Sequence, residues 1–182
     1  VGIYAADSSI VKNTGSIEVG AKGTAIFAEN DLKIGGNSTA ISNNKDINVT
    51  NTGTIKAKDN STGTYGIYAK NDKTNYANAT STVKHSGNID LSNAKSSVGI
   101  YTENSALTSN GNISVGKDSI AVSAKNSDVD VAAGTYNINK SIAFKIADLG
   151  SKTFKGNAGT LNLGEDSIAY YLKNSNITPS NF

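Results

Sequence analysis

One four-residue block, repeated along the chain, constrains the fold more than any other feature. Gly2-Ile3-Tyr4-Ala5 returns as Ala25-Ile26-Phe27-Ala28, Gly66-Ile67-Tyr68-Ala69 and Gly99-Ile100-Tyr101-Thr102. Looser copies are Ala40-Ile41-Ser42-Asn43, Ala121-Val122-Ser123-Ala124, Ala143-Phe144-Lys145-Ile146 and Ala169-Tyr170-Tyr171-Leu172. A second block, Asn13-Thr14-Gly15-Ser16-Ile17-Glu18-Val19, follows the first and recurs around Gly53, Gly87, Gly111, Gly134 and Gly159. Clear copies of the first block begin at 2, 25, 66, 99, 121, 143 and 169, so the unit is close to 22 residues. The long interval from 25 to 66 holds either one unit with an insertion or two units, the second starting at Ala40. The interval from 66 to 99 carries an insertion placed at Asn71 to Lys84.

Within each unit the apolar residues alternate, which is the period of a strand with one buried face. The Ile3 position stays apolar throughout, whereas the Tyr4 position varies among Tyr, Phe, Ser and Lys. The first therefore points inward and the second outward. Ile17/Val19, Ile55/Ala57, Ile89/Leu91, Ile113/Val115 and Leu161/Leu163 repeat this in the second block, and a third short strand is expected at Leu32-Lys33-Ile34 or Val129-Asp130-Val131. Asn follows a charged residue at Lys70-Asn71, Glu103-Asn104, Lys125-Asn126 and Lys173-Asn174, where it suits corners that need the left-handed conformation. Three short strands per 22-residue unit describe one turn of a solenoid. The expected fold is all-β: a right-handed parallel β-helix with insertions, one segment over residues 1–182. A leucine-rich repeat lacks its LxxLxL strand here, and a propeller blade needs about 40 residues. Unpaired strand edges are expected at both ends, with fraying or end-to-end association.

Composition removes several functions. The net charge of +2 is too small to imply nucleic acid. There is no Cys, hence no thiolate metal site or thiol nucleophile, and the sequence contains neither Arg nor Gln. No run of about 18 apolar residues is present, and no signal peptide opens the chain. Asn, Ser and Thr number 24, 22 and 17 of 182, unlike a compact helical enzyme. The start inside a repeat suggests a piece of a longer protein.

These GIYA-like and NTGxI-like blocks resemble the passenger regions of bacterial autotransporters, most of all the large fusobacterial autotransporter adhesins. The resemblance covers nearly the whole chain. It implies secretion through an outer-membrane β-barrel located elsewhere in the full-length protein, and display at the cell surface. It also implies a non-enzymatic role as adhesin or adhesin stalk, facing a host or bacterial surface protein or glycan. The alternative is a β-helix polysaccharide-active enzyme or a tailspike-like glycan-binding module.

Catalytic candidates are few. His85 is the single histidine and aligns with Asn13, which favours a turn position over a general base or ligand. Asp128/Asp130 and Glu165/Asp166 are the carboxylate pairs, the second at a corner; neither recurs on a neighbouring unit. A cleft lined by three or more acidic residues from neighbouring rungs would favour the enzyme. No metal or cofactor is expected. Two features can carry binding: the outward aromatics Tyr4, Phe27, Tyr68 and Tyr101, which otherwise form a structural ladder, and the 71–84 insertion with Tyr76.

Overall fold

The computed structural model describes residues 1–30, 46–73, 79–156 and 159–178, and its regular structure there is entirely strand. The strands form three sheets in which every pairing is parallel. The first contains, in spatial order, β1 (Ile3–Ala6), β4 (Thr24–Glu29), β7 (Tyr65–Lys70), β10 (Val98–Glu103), β13 (Ile120–Lys125), β16 (Ile142–Ala147) and β19 (Ile168–Lys173). The second contains β2 (Ile10–Asn13), β5 (Ile47–Asn51), β8 (Ser81–His85), β11 (Ala106–Ser109), β14 (Val129–Val131) and β17 (Phe154–Gly156). The third contains β3 (Ser16–Val19), β6 (Thr54–Ala57), β9 (Asn88–Leu91), β12 (Asn112–Val115), β15 (Thr135–Ile138) and β18 (Thr160–Leu163). Each sheet takes every third strand. The chain is therefore a parallel β-helix, its rungs stacked about 4.8 Å apart.

The sequence repeat and the ladder register coincide. Ile3 pairs with Ile26, Ile26 with Ile67, Ile67 with Ile100, Ile100 with Val122, and Val122 with Phe144. Because β4 pairs directly with β7, residues 25–65 contribute a single rung to the first sheet. The Leu32–Ile34 strand and the Ala40 copy lie outside the described residues; the second-sheet strand of this rung is β5. The insertion is shorter than 71–84: Ser81 to Lys84 belong to β8, paired with β5 and β11. Val83 is the only apolar side chain that β8 sends inward, so this strand leaves little apolar signal.

The core is a set of columns. Ile26, Ile67, Ile100, Val122 and Phe144 line the first sheet, Val49, Val83, Leu107 and Val129 the second, and Ile55, Ile89, Ile113 and Tyr136 the third; all are buried. The inward register read from the repeat holds from rung to rung. It weakens at Ala57, which is half-buried, and at the ends. Val1 is 72% exposed and Leu163 45%, and Ile3, Ile17 and Leu161 are half-buried, because no further rung covers them. The third strand expected at Val129-Asp130-Val131 is β14 of the second sheet; the other strands of that sheet carry only one or two apolar residues each and leave a weaker signal.

Corners follow two rules. Asn104, Asn126 and Asn174 turn with φ of 53°, 45° and 49°, as their sequence positions predict. The Asn126 side chain donates to Asn104 Oδ1 at 2.7 Å, and Asn104 to the Asn71 carbonyl at 2.8 Å, so the corner is itself a ladder. Serines that follow the corners at Ser96, Asp118 and Lys140, just before first-sheet strands, do similar work. The Ser97 amide donates to Ser119 Oγ and the Ser119 amide to Ser141 Oγ, both at 3.0 Å. Buried amides at the bends thereby gain the partners that strand pairing no longer supplies. The NTG-like glycines have a different cause. A Cβ on Gly87 would lie 2.0 Å from the Gly53 carbonyl oxygen, and one on Gly134 would lie 2.1 Å from that of Gly111. Rungs approach too closely there for any side chain.

Each rung rests on two neighbours, so a core defect acts locally. Ile100 is fully buried between Ile67 and Val122. Ile100→Asp is expected to cost at least the ~2–5 kcal/mol of truncating a buried Ile, since the charge would have no partner. Thermal unfolding should then split into two transitions for the halves of the rod. A single transition within a degree or two of wild type would reverse the inward assignment.

Candidate functional site

The first sheet's outward face brings the sequence-predicted aromatics together. Tyr4, Phe27, Tyr68 and Tyr101 occupy one register column on four successive rungs. Their rings stack with centroids 5.6, 4.8 and 4.9 Å apart and planes within 12°, 3° and 15° of parallel. Tyr65 meets Tyr68 edge-on at 5.8 Å. Tyr76 lies outside the described residues. Phe27 and Tyr68 are adjacent because no extra rung separates them. Stacking occupies the faces of the inner rings, so a ligand meets mainly their edges. Each pair contributes about 0.5–1.5 kcal/mol.

A charged column runs beside the rings. Glu29, Lys70, Glu103 and Lys125 follow in register, two residues along from the aromatics. Lys70 pairs with Glu29 at 3.1 Å, and Lys125 with Glu103 at 2.9 Å. The Tyr101 hydroxyl donates to Glu103 Oε2 at 2.6 Å. Burial and this carboxylate push the Tyr101 hydroxyl far above its usual range. Burial alone would raise Glu103, but the bonds from Tyr101 and Lys125 outweigh it and hold the carboxyl below normal. The rings are thus pinned by a lattice of fixed alternating charge. Tyr101→Ser should cost about 1 kcal/mol, one stacking partner on a half-exposed face. A loss comparable to that of Ile100→Asp, measured by thermal unfolding, would mean that Tyr101 supports the core.

His85 is inside the rod. It ends β8 in register with Asn51, and Asn51 with Asn13, as the sequence alignment implied, but as a buried strand residue rather than a turn. Asn13 Nδ2 donates to Asn51 Oδ1 at 2.7 Å, and Asn51 Nδ2 lies 3.1 Å from His85 Nδ1. Nε2 lies 3.2 Å from the Asn112 carbonyl. The geometry fits a neutral ring, with Nδ1 accepting and Nε2 donating. Burial lowers its pKa, outweighing the opposing bonds to Asn112 and Asn51. A lowered folded pKa places this stability above the unfolded value near 6.5 and removes it as pH falls through that value toward the folded one. The melting temperature should fall between pH 7.5 and pH 5, and His85→Asn should flatten that slope. An unchanged slope in the variant would exclude His85 as its source.

The carboxylate pairs are held by neighbouring cations, amides and corners. Asp128 sits at the start of β14, bound to Lys152 Nζ at 3.1 Å and to the Thr153 amide at 2.9 Å. Asp130 points outward in register with Thr108 and Lys155. Asp166 turns a corner at φ 50°, and Glu165 lies 3.7 Å from Lys140. Among the described residues no three metal-ligating side chains cluster, and no helix is long and apolar enough to cross a membrane.

The third sheet carries a feature that sequence reasoning missed. A groove of about 710 Å³ runs over Asp90, Ser114, Asn137 and Asn162. A cleft of about 560 Å³ continues it over Glu18, Lys56, Lys58, Asp59, Asp90 and Asn93. Glu18, Asp59 and Asp90 come from three neighbouring rungs, but Lys56 stands between Glu18 and Asp90 in the ladder and Lys58 lies 3.8 Å from Glu18. The available signal was the polar outward column Glu18, Lys56, Asp90, Ser114, Asn137, Asn162, which in the sequence looks like ordinary solvated surface.

No family model, curated protein or solved structure matches this chain.

Proposed function

We propose that this chain is a surface-displayed segment of an autotransporter passenger, acting as an adhesin or the stalk of one, without enzymatic activity. The carrying observation is the unbroken stack of in-register rungs, each held by its neighbours and each adding outward residues to the same few columns. Such a rod sets distance from a surface and repeats its contacts along its length. The resemblance of the GIYA-like and NTGxI-like blocks to fusobacterial adhesins supports the same reading. Under it the full-length protein supplies an outer-membrane β-barrel, the rod stands outside the cell, and the partner is a host or bacterial surface protein or glycan. The aromatic ladder and the third-sheet groove are the faces offered to that partner. The test is adhesion of the purified chain to host cells and to partner bacteria, with soluble glycans as competitors. Saturable binding is expected from a binding segment. Its absence here, with adhesion by a longer piece containing this rod, would assign the chain to the stalk.

A β-helix polysaccharide-active enzyme has one observation in its favour, the cleft with Glu18, Asp59 and Asp90 from three neighbouring rungs. A general acid needs a carboxyl kept protonated by apolar surroundings. The walls of this cleft are charged and polar, and Glu18 is 58% exposed. No release of reducing or unsaturated ends is expected from acidic or neutral polysaccharides. Release abolished by Glu18→Gln or Asp90→Asn would establish the enzyme.

A further inference from the structure

The aromatic ladder stops abruptly, and the stop has the shape of a site. Tyr101 is in register with Ser123, and Ser123 with Lys145, which is followed by Tyr171. One face of the Tyr101 ring is covered by Tyr68 at 4.9 Å. The other is directed toward the Ser123 position, where a small hydroxymethyl group stands in place of a ring. The next side chain in the column, Lys145, lies two rungs from Tyr101, a step of about 10 Å. Two rung steps are twice the ring spacing of the ladder itself. The gap between Tyr101 and Lys145 is therefore one ring thick. Its floor is Ser123; Ile120 flanks it on one side and Lys125 on the other, both outward on β13.

We propose that this notch binds a pyranose ring bearing a carboxylate, as in a uronic-acid unit of a surface polysaccharide, stacked on Tyr101 in the vacant ladder position. This deepens the adhesin reading by naming the ligand class. The Tyr101 hydroxyl is tied to Glu103, so the ring is already held in the stacking orientation and little ordering is needed on binding. A sugar's C–H face suits the aromatic face, and its hydroxyls suit the Ser123 hydroxyl and the charged rim. A partner aromatic side chain would fill the same space but leave that polar rim unmatched. Charge selects the acid. Among the described residues Lys145 forms no ion pair; its Nζ lies 5.9 Å from the Tyr171 ring centre. Glu103, the nearby carboxylate, is neutralised by Lys125 at 2.9 Å. Asp148, which also acts on Lys125, accepts from Asn174 Nδ2 at 3.0 Å, so among the described residues Lys145 is the cation left without a carboxylate partner beside the notch.

The experiment uses oligosaccharides alternating glucuronate and N-acetylglucosamine, with neutral N-acetylglucosamine oligomers and a Tyr-containing peptide as controls, read by calorimetry and by NMR shifts at Tyr101 and Ser123. The acidic oligosaccharide should bind, about ten-fold tighter than the neutral one, or about 1.4 kcal/mol. Ser123→Tyr places a ring in the notch at a position where the ladder already accepts one, so it should melt at or above wild type and lose binding at least ten-fold. Lys145→Glu, on the half-exposed surface, should lose a similar factor without disturbing the fold. The inference is overturned by undiminished binding in Ser123→Tyr or Lys145→Glu, by equal affinity for the neutral oligomer, by the peptide alone shifting the Tyr101 signals, or by no acidic-sugar binding at tens of millimolar. Cell adhesion measured in parallel separates the two claims. Adhesion without acidic-sugar binding removes this inference and leaves the adhesin reading, and acidic-sugar binding without adhesion does the reverse.

Discussion

Every feature of this molecule depends on in-register parallel stacking of one rung on the next. A single rung has three short strands and one to three inward apolar residues per strand, too few to exclude water. Placed about 4.8 Å from a copy of itself, each Ile or Val is covered above and below, and each strand amide meets a carbonyl. Ile67, Ile100 and Val122 are fully buried for this reason, while Ile3 and Leu161, with the same local sequence but one neighbour, are not. Burial in this fold is a property of position along the rod rather than of the residue.

Register also explains why like stacks on like far from the core. Once Ile26 is aligned with Ile67, Phe27 must lie on Tyr68, Ala28 on Ala69 and Glu29 on Lys70. Aromatic faces, opposite charges, corner asparagines and corner serines each become ladders at the cost of side-chain ordering alone, because the backbone has already placed them. The interior obeys the same logic with polar groups. Asn13, Asn51 and His85 bond to one another through the core, and Ser109 meets the Tyr136 hydroxyl at 2.7 Å, so buried polarity is satisfied along the axis. Thr102 is an exception: its buried hydroxyl, in a column that is Ala at positions 69 and 124, has no partner.

The exposed columns are where function has freedom. Inward residues and corner glycines are constrained by neighbours on both sides, but an outward side chain can change without moving the rung. The first sheet uses that freedom for an aromatic and charged face, and the third for a polar groove. A break in such a column, as at Ser123, puts a small side chain where the preceding rung carries a ring. Recognition on a rod of this kind is written in which positions of a column are left empty as much as in which are filled.

The sequence by itself determined the architecture, the 22-residue unit, the inward column from Ile26 to Phe144 and the alignment of Tyr4, Phe27, Tyr68 and Tyr101. All four follow from alternation and repetition, which are local and survive in one dimension. It also placed His85 opposite Asn13 by alignment. Only the tertiary structure decided that residues 25–65 form one rung of the first sheet and that Ser81 to His85 are a strand. A short strand with a single inward valine carries almost no periodic signal, and the pairing partners of β8 lie 34 residues before it and 24 after it. The groove over Glu18, Asp90 and Asn162 was likewise decided in three dimensions. A cavity is a relation among surfaces of different rungs, and the curvature of a sheet and the room left beside a small side chain have no counterpart in the order of the residues.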